Sequence, residues 1–260
     1  MTVTLKTTGI AARCTMCIAV DPDTGLLRDF ASAAVTADMT QTGLTISSQS
    51  YNGTTRGYWT NGASATLTFG TNKPVFAYVG ATGFETFAAF TALEYATTDN
   101  AGFIVGDSGE QSGFKFIAAK GMESWRLGNV TTVVAGVTNG TTYGGGVCIT
   151  RDSAHAAYHR PPGGSTVGPN AADSIGGAEV NFSLSALGRS GTAGTIVDHK
   201  LFCVALFRAA SASPVAMTQA EFESLADDWF GTLFDVTASG GAELPSLTMP
   251  PMLTASWGRR

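Results

Sequence analysis

Residues 200–234 read KLFCVALFRAASASPVAMTQAEFESLADDWFGTLF, and this stretch decides the fold class. Leu201–Phe207 is apolar at every position, the pattern of a strand covered on both faces. Arg208 ends the run, and the following AASASP supplies turn chemistry. Thr218 and Glu221 then form a T-x-x-E capping box. In such a box the Thr218 hydroxyl accepts from the Glu221 N–H, and the Glu221 carboxylate accepts from the Thr218 N–H. Met217 and Phe222 stand at the two positions of a hydrophobic staple. Phe222, Leu225, Ala226, Trp229 and Phe230 fall on one face of a helix predicted over 218–230.

Outward from this unit, the chain is a series of short strand-like runs between turn signals. Predicted strands are Val3–Leu5, Cys14–Val20, Ala65–Phe69, Val75–Val79, Thr86–Leu93, Phe103–Val105, Phe114–Ala118, Thr131–Val137, Gly146–Thr150, Glu179–Leu184, Thr195–Val197 and Leu201–Phe207. Asp21–Gly25, Asn52-Gly53, Asn61-Gly62, Asn139-Gly140, Gly144–Gly146 and Pro161–Gly164 read as turns. Arg151–Arg160 reads as a loop or a short helical turn. No βαβ rhythm is present, so the pattern predicts an all-β sandwich or barrel. Residues 235–260 change character, with Gly-Gly, Pro245, Pro250-Pro251 and a basic end. They read as an extended C-terminal arm following a domain at 1–234. Leu247, Met249, Met252, Leu253 and Trp257 load that arm with apolar surface suited to assembly.

The closing unit resembles the end of concanavalin A-like (laminin G-like) jelly-roll domains, on Ala205–Arg208, Thr218, Glu221, Phe222 and Leu225. Asp228–Phe234, DWFGTLF, resembles a P-W-x-L-F ending of such domains in bacteriophage and prophage proteins, with Asp228 in place of the proline. The resemblance covers about 35 residues and implies a two-sheet antiparallel jelly-roll sandwich with one short C-terminal helix.

Composition bounds the function. Charged residues are 13% of 260, about half the usual share, while glycine reaches 32. A net charge of −5 gives no electrostatic reason to bind nucleic acid. No run approaches the ~18 apolar residues of a membrane span, and the N-terminus lacks the apolar core of a signal peptide. Membrane insertion is not expected. Cys14-x-x-Cys17 lacks the second ligand pair of a zinc site, and Cys148 and Cys203 lie inside apolar runs.

Jelly rolls of this kind include glycan hydrolases and lyases, so carboxylate spacing was the first test of catalysis. The resemblance implies E-x-D-x-x-E for glucanases and Q-(I/V)-H or Y-x-K-x-G-x-Y for alginate lyases; none occurs. Glu221 and Glu223 lie on the helix, two residues apart, and point away from each other. Asp152, His155 and His159 would share a helical face and could ligate a metal, but no Glu follows His155 to make H-E-x-x-H, and the preferred reading is a polar loop or turn with two solvated histidines. Asp198-His199 reads as a loop end. No catalytic constellation emerges, and the expectation is a non-enzyme.

Two binding features stand out. Ser50–Asn61 is rich in aromatic, Asn and Gly residues. Tyr51, Tyr58 and Trp59 suit stacking on sugar rings, and Asn52, Arg56 and Asn61 suit bonding hydroxyls. The alternative is an edge strand with Trp59 tucked into the sandwich. Asp21 and Asp23 place two carboxylates in one turn, either as Ca²⁺ ligands or as an Asx turn. The expected function is a bacteriophage virion structural or accessory protein: a capsid decoration, head-fibre or tail-associated adhesion module, synthesised in the host cytoplasm. Its expected partners are other virion proteins, copies of itself and host cell-surface polysaccharide. The alternatives are a stand-alone lectin and a glycan-active enzyme.

Overall fold

The computed structural model describes residues 2–31, 39–74, 87–95, 102–106, 113–117, 121–126, 129–134, 138–149, 155–171, 183–187, 199–208 and 217–237, with side chains at 2–31, 43–60, 88–95, 138–148, 156–169, 199–208 and 217–237. The chain begins with β1 (Thr2–Leu5), a 3-10 turn (Gly9–Arg13), β2 (Cys14–Val20) and β3 (Leu27–Asp29). A long hairpin follows, formed by β4 (Met39–Tyr51) and β5 (Thr54–Pro74). Next come β6 (Phe87–Glu94), β7 (Gly102–Gly106), β8 (Gly113–Ile117), β9 (Gly121–Arg126) and β10 (Asn129–Val134). Then β11 (Thr142–Ile149), β12 (His155–Arg160), β13 (Val167–Ala171) and β14 (Ser183–Leu187) lead to β15 (Lys200–Arg208). One α-helix, α1 (Gln219–Leu233), and β16 (Phe234–Thr237) complete the described elements.

The protein is an all-β antiparallel sandwich with a short helix near its C-terminus. β1 and β16 make a two-stranded sheet, and fourteen strands make the other. The apolar run of residues 201–207 is β15, which is central as its composition demands. It pairs with β2 on one side and with β6 on the other, and reaches β5 through Leu201 opposite Trp59. Every residue from Leu201 to Phe207 is buried. From β6 the ladder continues through β11 and β12 to β13. From β5 it continues through β14, β7, β8 and β9 to β10. The far ends meet, with β9 and β10 lying against β12 and β13.

Helix α1 lies over β6, β11 and β12 and forms as its caps predict. The Glu221 N–H donates to the Thr218 hydroxyl at 3.2 Å, and the Thr218 N–H donates to the Glu221 carboxylate at 2.8 Å. Arg13 of the 3-10 turn also pairs with Glu221. Burial pushes the Glu221 carboxyl up, but the Thr218 N–H and Arg13 outweigh it and hold the group below the usual carboxylate range. The predicted staple closes, with Met217 and Phe222 both buried. The helix extends three residues beyond the predicted 230 and breaks its dihedrals at Asp228 (φ −149°, ψ 77°). Asp228 accepts from the Gly231 N–H at 2.9 Å, the bond of an N-cap, so it restarts the helix where the resembling pattern has proline.

Gly144–Gly146, read in the sequence as a turn, is mid-strand in β11. The helix seats directly on it. A Cβ at Gly144 would stand 2.5 Å from Ala226 Cβ, and one at Gly146 would stand 2.7 Å from the Phe222 ring. The glycines lower this part of the sheet so that the helix can approach. Residues 235–237, read as the start of the arm, continue as β16 in register with β1, from Thr2 opposite Thr237 to Leu5 opposite Phe234. Leu247, Met249, Met252, Leu253 and Trp257 lie outside the described residues.

Candidate functional site

The loop expected at Ser50–Asn61 is the tip of the β4–β5 hairpin. Asn52 (φ 46°) and Gly53 (φ 78°) form its turn, the Asn-Gly pairing that a two-residue hairpin loop favours. Near its tip the hairpin meets the helix through Tyr51, Asn52 and Arg56. Tyr51 is 3% exposed and donates its hydroxyl to the Ala226 carbonyl at 2.9 Å. Trp59 is 0% exposed. Both are core residues and present no face to a sugar: for Trp59 this is the alternative reading, a ring tucked into the sandwich, and for Tyr51 it corrects an expected place on a recognition surface. Tyr58 is half-buried beside Phe202, with the Lys200 ammonium 5.4 Å from its ring centre. Asn52 is exposed and donates to the Asp227 carbonyl at 2.7 Å. The Asn61 side chain lies outside the described residues.

Arg56 gains the importance that these aromatics lose. Its guanidinium carbon stands 3.9 Å from the centre of the Phe230 ring, a close cation–π contact. Burial pulls its pKa below the ordinary guanidinium value, and the charge of Asp228 opposes that effect. Arg56 and Phe230 sit in a groove of about 440 Å³. One wall is Ser47, Ser48 and Thr55 of the hairpin. Another is the turn Asp21–Gly25, and the helix end at Trp229 and Phe230 closes the third. A smaller recess of about 130 Å³ adjoins through Arg56, lined also by Thr54, Asp227 and Asp228. The groove thus joins three segments remote in sequence: an aspartate turn, a hairpin and a helix terminus.

The aspartate turn is an Asx turn. Asp21 Oδ1 accepts from the Asp23 N–H at 3.0 Å, and Asp21 Oδ2 accepts from Arg28 Nη1 at 3.3 Å. The Gly25 N–H donates to the Asp21 carbonyl at 2.8 Å. Asp21 lines the groove, whereas Asp23 is exposed. Among the described residues, no group of three or more His, Cys, Asp or Glu side chains is arranged to hold a metal.

The histidine segment departs from its reading as a loop or helical turn. It is strand β12, where four residues span about 13 Å and the two histidines lose the one-turn spacing of a metal pair. His159 is fully buried and stacks on Tyr143 with centroids 4.5 Å apart. His199 is buried with its ring 5.6 Å from that of Tyr95. Asp152 and Asp198 lie outside the described residues. Cys14, Cys17, Cys148 and Cys203 are free thiols, and burial pushes those of Cys14 and Cys17 up.

Neither a protein-family model nor a curated protein matches the sequence. Solved structures share the fold. The chain is similar to Trypanosoma rangeli sialidase in complex with sialic acid (TM-score 0.52, 11% identity), covering 82% of this chain and 32% of the sialidase. It is also similar to domain 4 of AbnA, a GH43 extracellular arabinanase from Geobacillus stearothermophilus, in complex with arabinotriose (TM-score 0.50, 11% identity), covering 82% of this chain and 98% of that domain. A third likeness is to the binding domain of Paraclostridial Mosquitocidal Protein 1 (TM-score 0.50, 9% identity), covering 84% and 52%. This chain therefore spans about a third of the sialidase and half of the mosquitocidal chain.

These structures correct one expectation. The missing motifs give the expectation of a non-enzyme, yet the fold recurs in sialidase chains over 82% of this sequence. Absent glucanase and lyase motifs do not exclude catalysis in a fold so widely used. At 11% identity the likeness concerns the fold, and no catalytic residue carries over.

Proposed function

We propose that this chain is a carbohydrate-recognition module whose site is the groove between the β4–β5 hairpin, the Asp21–Gly25 turn and the end of α1. The observation that carries the reading is Arg56, held 3.9 Å from the centre of the Phe230 ring in a groove that also presents the hydroxyls of Ser47, Ser48 and Thr55. Saccharides are bound by few, fixed polar groups set beside apolar surface, because they present hydroxyls around a weakly apolar ring. A guanidinium stacked on an aromatic ring is such a fixed group, since its donors are oriented before a ligand arrives. The arabinanase domain complexed with arabinotriose and the sialidase complexed with sialic acid share this fold and support the ligand class.

A glycan array read against the full chain and Ser48→Trp tests this. Ser48 is exposed on the groove wall, so an indole there occupies the groove without entering the core. The expected outcome is a defined set of bound glycans, lost in S48W while the thermal transition is unchanged. Binding that survives S48W moves the site elsewhere. The same samples are assayed for newly released reducing ends, because the fold is also that of hydrolase chains.

A finer reading is that the module is carried on a bacteriophage particle, as a concanavalin A-like adhesion domain acting through many weak copies. It rests on the closing segment Thr218–Phe234 and its DWFGTLF ending. Other virion proteins, copies of itself and host polysaccharide are then its partners, and the virion is its location. Fixed-stoichiometry co-purification with particle proteins tests it.

A further inference from the structure

We infer that the groove selects saccharides bearing a carboxylate, such as uronic acid residues, through a salt link to Arg56. This rests on the carbohydrate reading and goes beyond it to the chemical class of the sugar.

The argument is an accounting of charge around the groove. Asp21 accepts from Arg28 and from the Asp23 N–H. Asp227 takes both Nε (3.1 Å) and Nη2 (2.8 Å) of Arg160, with the Gly163 N–H as a third donor at 2.9 Å. Asp228 is committed to the Gly231 N–H as a helix cap. Among the described residues, the acids near the groove thus have bonded partners. The Arg56 guanidinium is different. Among the described residues it stacks on the Phe230 ring, and Asp228 acts on it as a nearby charge. Among the described residues, none accepts from the five N–H donors of its planar fork.

The Asp228 charge and the Phe230 face both favour the half-buried guanidinium, yet neither fills its N–H donors. Sugar hydroxyls would fill the donors one at a time, through neutral acceptors. A carboxylate fills the fork with two parallel bonds and supplies the opposite charge. The position suits this, because Arg56 lies where the larger groove and the smaller recess adjoin. An acidic ring can sit over Arg56 with its neighbour in the larger groove.

The test is a panel of acidic oligosaccharides, oligogalacturonates among them, each paired with its carboxyl-reduced counterpart. Full-chain protein, Arg56→Gln and Arg56→Lys are titrated calorimetrically, with thermal melting to show that each is folded. The expected result is that reduction of the carboxyl weakens binding by about tenfold or more. R56Q should bring the acidic sugar down to the level of its reduced partner. R56K keeps the charge but loses the fork, and should fall between them. Equal binding of acidic and reduced sugars, or an equal loss of both in R56Q, overturns the carboxylate inference and leaves the carbohydrate reading standing. No binding by any member of the panel overturns both.

Discussion

His159 shows how one residue can set a pH dependence. It is fully buried, and neither ring nitrogen has a hydrogen-bond partner. Tyr143 stacks on it, Tyr95 lies 6.3 Å away, and His199 stands behind Tyr95. Burial lowers its pKa from 6.5 to about 4. The unfolded chain therefore takes up the proton first. The neutral ring's contribution is complete above about pH 6.5 and is lost as pH falls towards 4, a difference of roughly 3 kcal/mol. In His159→Phe this part of the slope should vanish, and stability at pH 7 should not fall, because two unsatisfied nitrogens leave the core. Urea unfolding of both proteins at pH 7 and pH 4.5 measures it. An unchanged slope in H159F would place the acid sensitivity on other groups. The sequence could not reveal this burial: HAAYHR has the polarity of a loop, and only its neighbours on both sides make it a covered strand.

The closing helix was legible because its signals are local. A capping box, a staple and an apolar face lie within the 14 residues 217–230, and all three form. Thr218→Ala should cost about 1 kcal/mol, read as a lower urea midpoint at unchanged slope. A value near zero would mean that Arg13 alone secures Glu221. Signals whose meaning is tertiary were misread. Gly144–Gly146 carries turn composition, yet its glycines make room for Ala226 and Phe222, which are some 80 residues away in sequence. Trp59 and Tyr51 have the composition of a binding loop, but the pairing with β15 covers Trp59 and the helix covers Tyr51. The meeting of hairpin and helix also sets Arg56 on Phe230, a pairing of residues 174 apart that no local pattern encodes. The strands at 14–20 and 201–207 were legible for the opposite reason: both are central, and continuous apolar runs mark burial without needing a partner's identity.

Across the molecule, the first and last described strands complete one another. Val3 and Phe234 are each 3% exposed, and the Lys6 N–H donates to the Leu233 carbonyl at 2.8 Å. A chain ending at Thr237 should keep the stability of the full chain, whereas one ending at Leu233 should lose several kcal/mol through the removal of Phe234 and the exposure of Val3. Urea midpoints of the two truncations distinguish these outcomes, and equal midpoints would show that the small sheet adds nothing. Light scattering on the same samples reports whether residues beyond 237 govern association.

The register of that sheet also determines how the domain answers force. Thr2 faces Thr237, so any polypeptide joined before the one and after the other leaves from the same end of the pair. Tension between those two points loads the bonds one at a time, as in peeling, and not together, as in shear. The pair opens first and at low load, ahead of β2 and β15 in the interior. A module tethered at both points would thus lengthen under a tug before its groove is disturbed, and would shorten again when the tug is released.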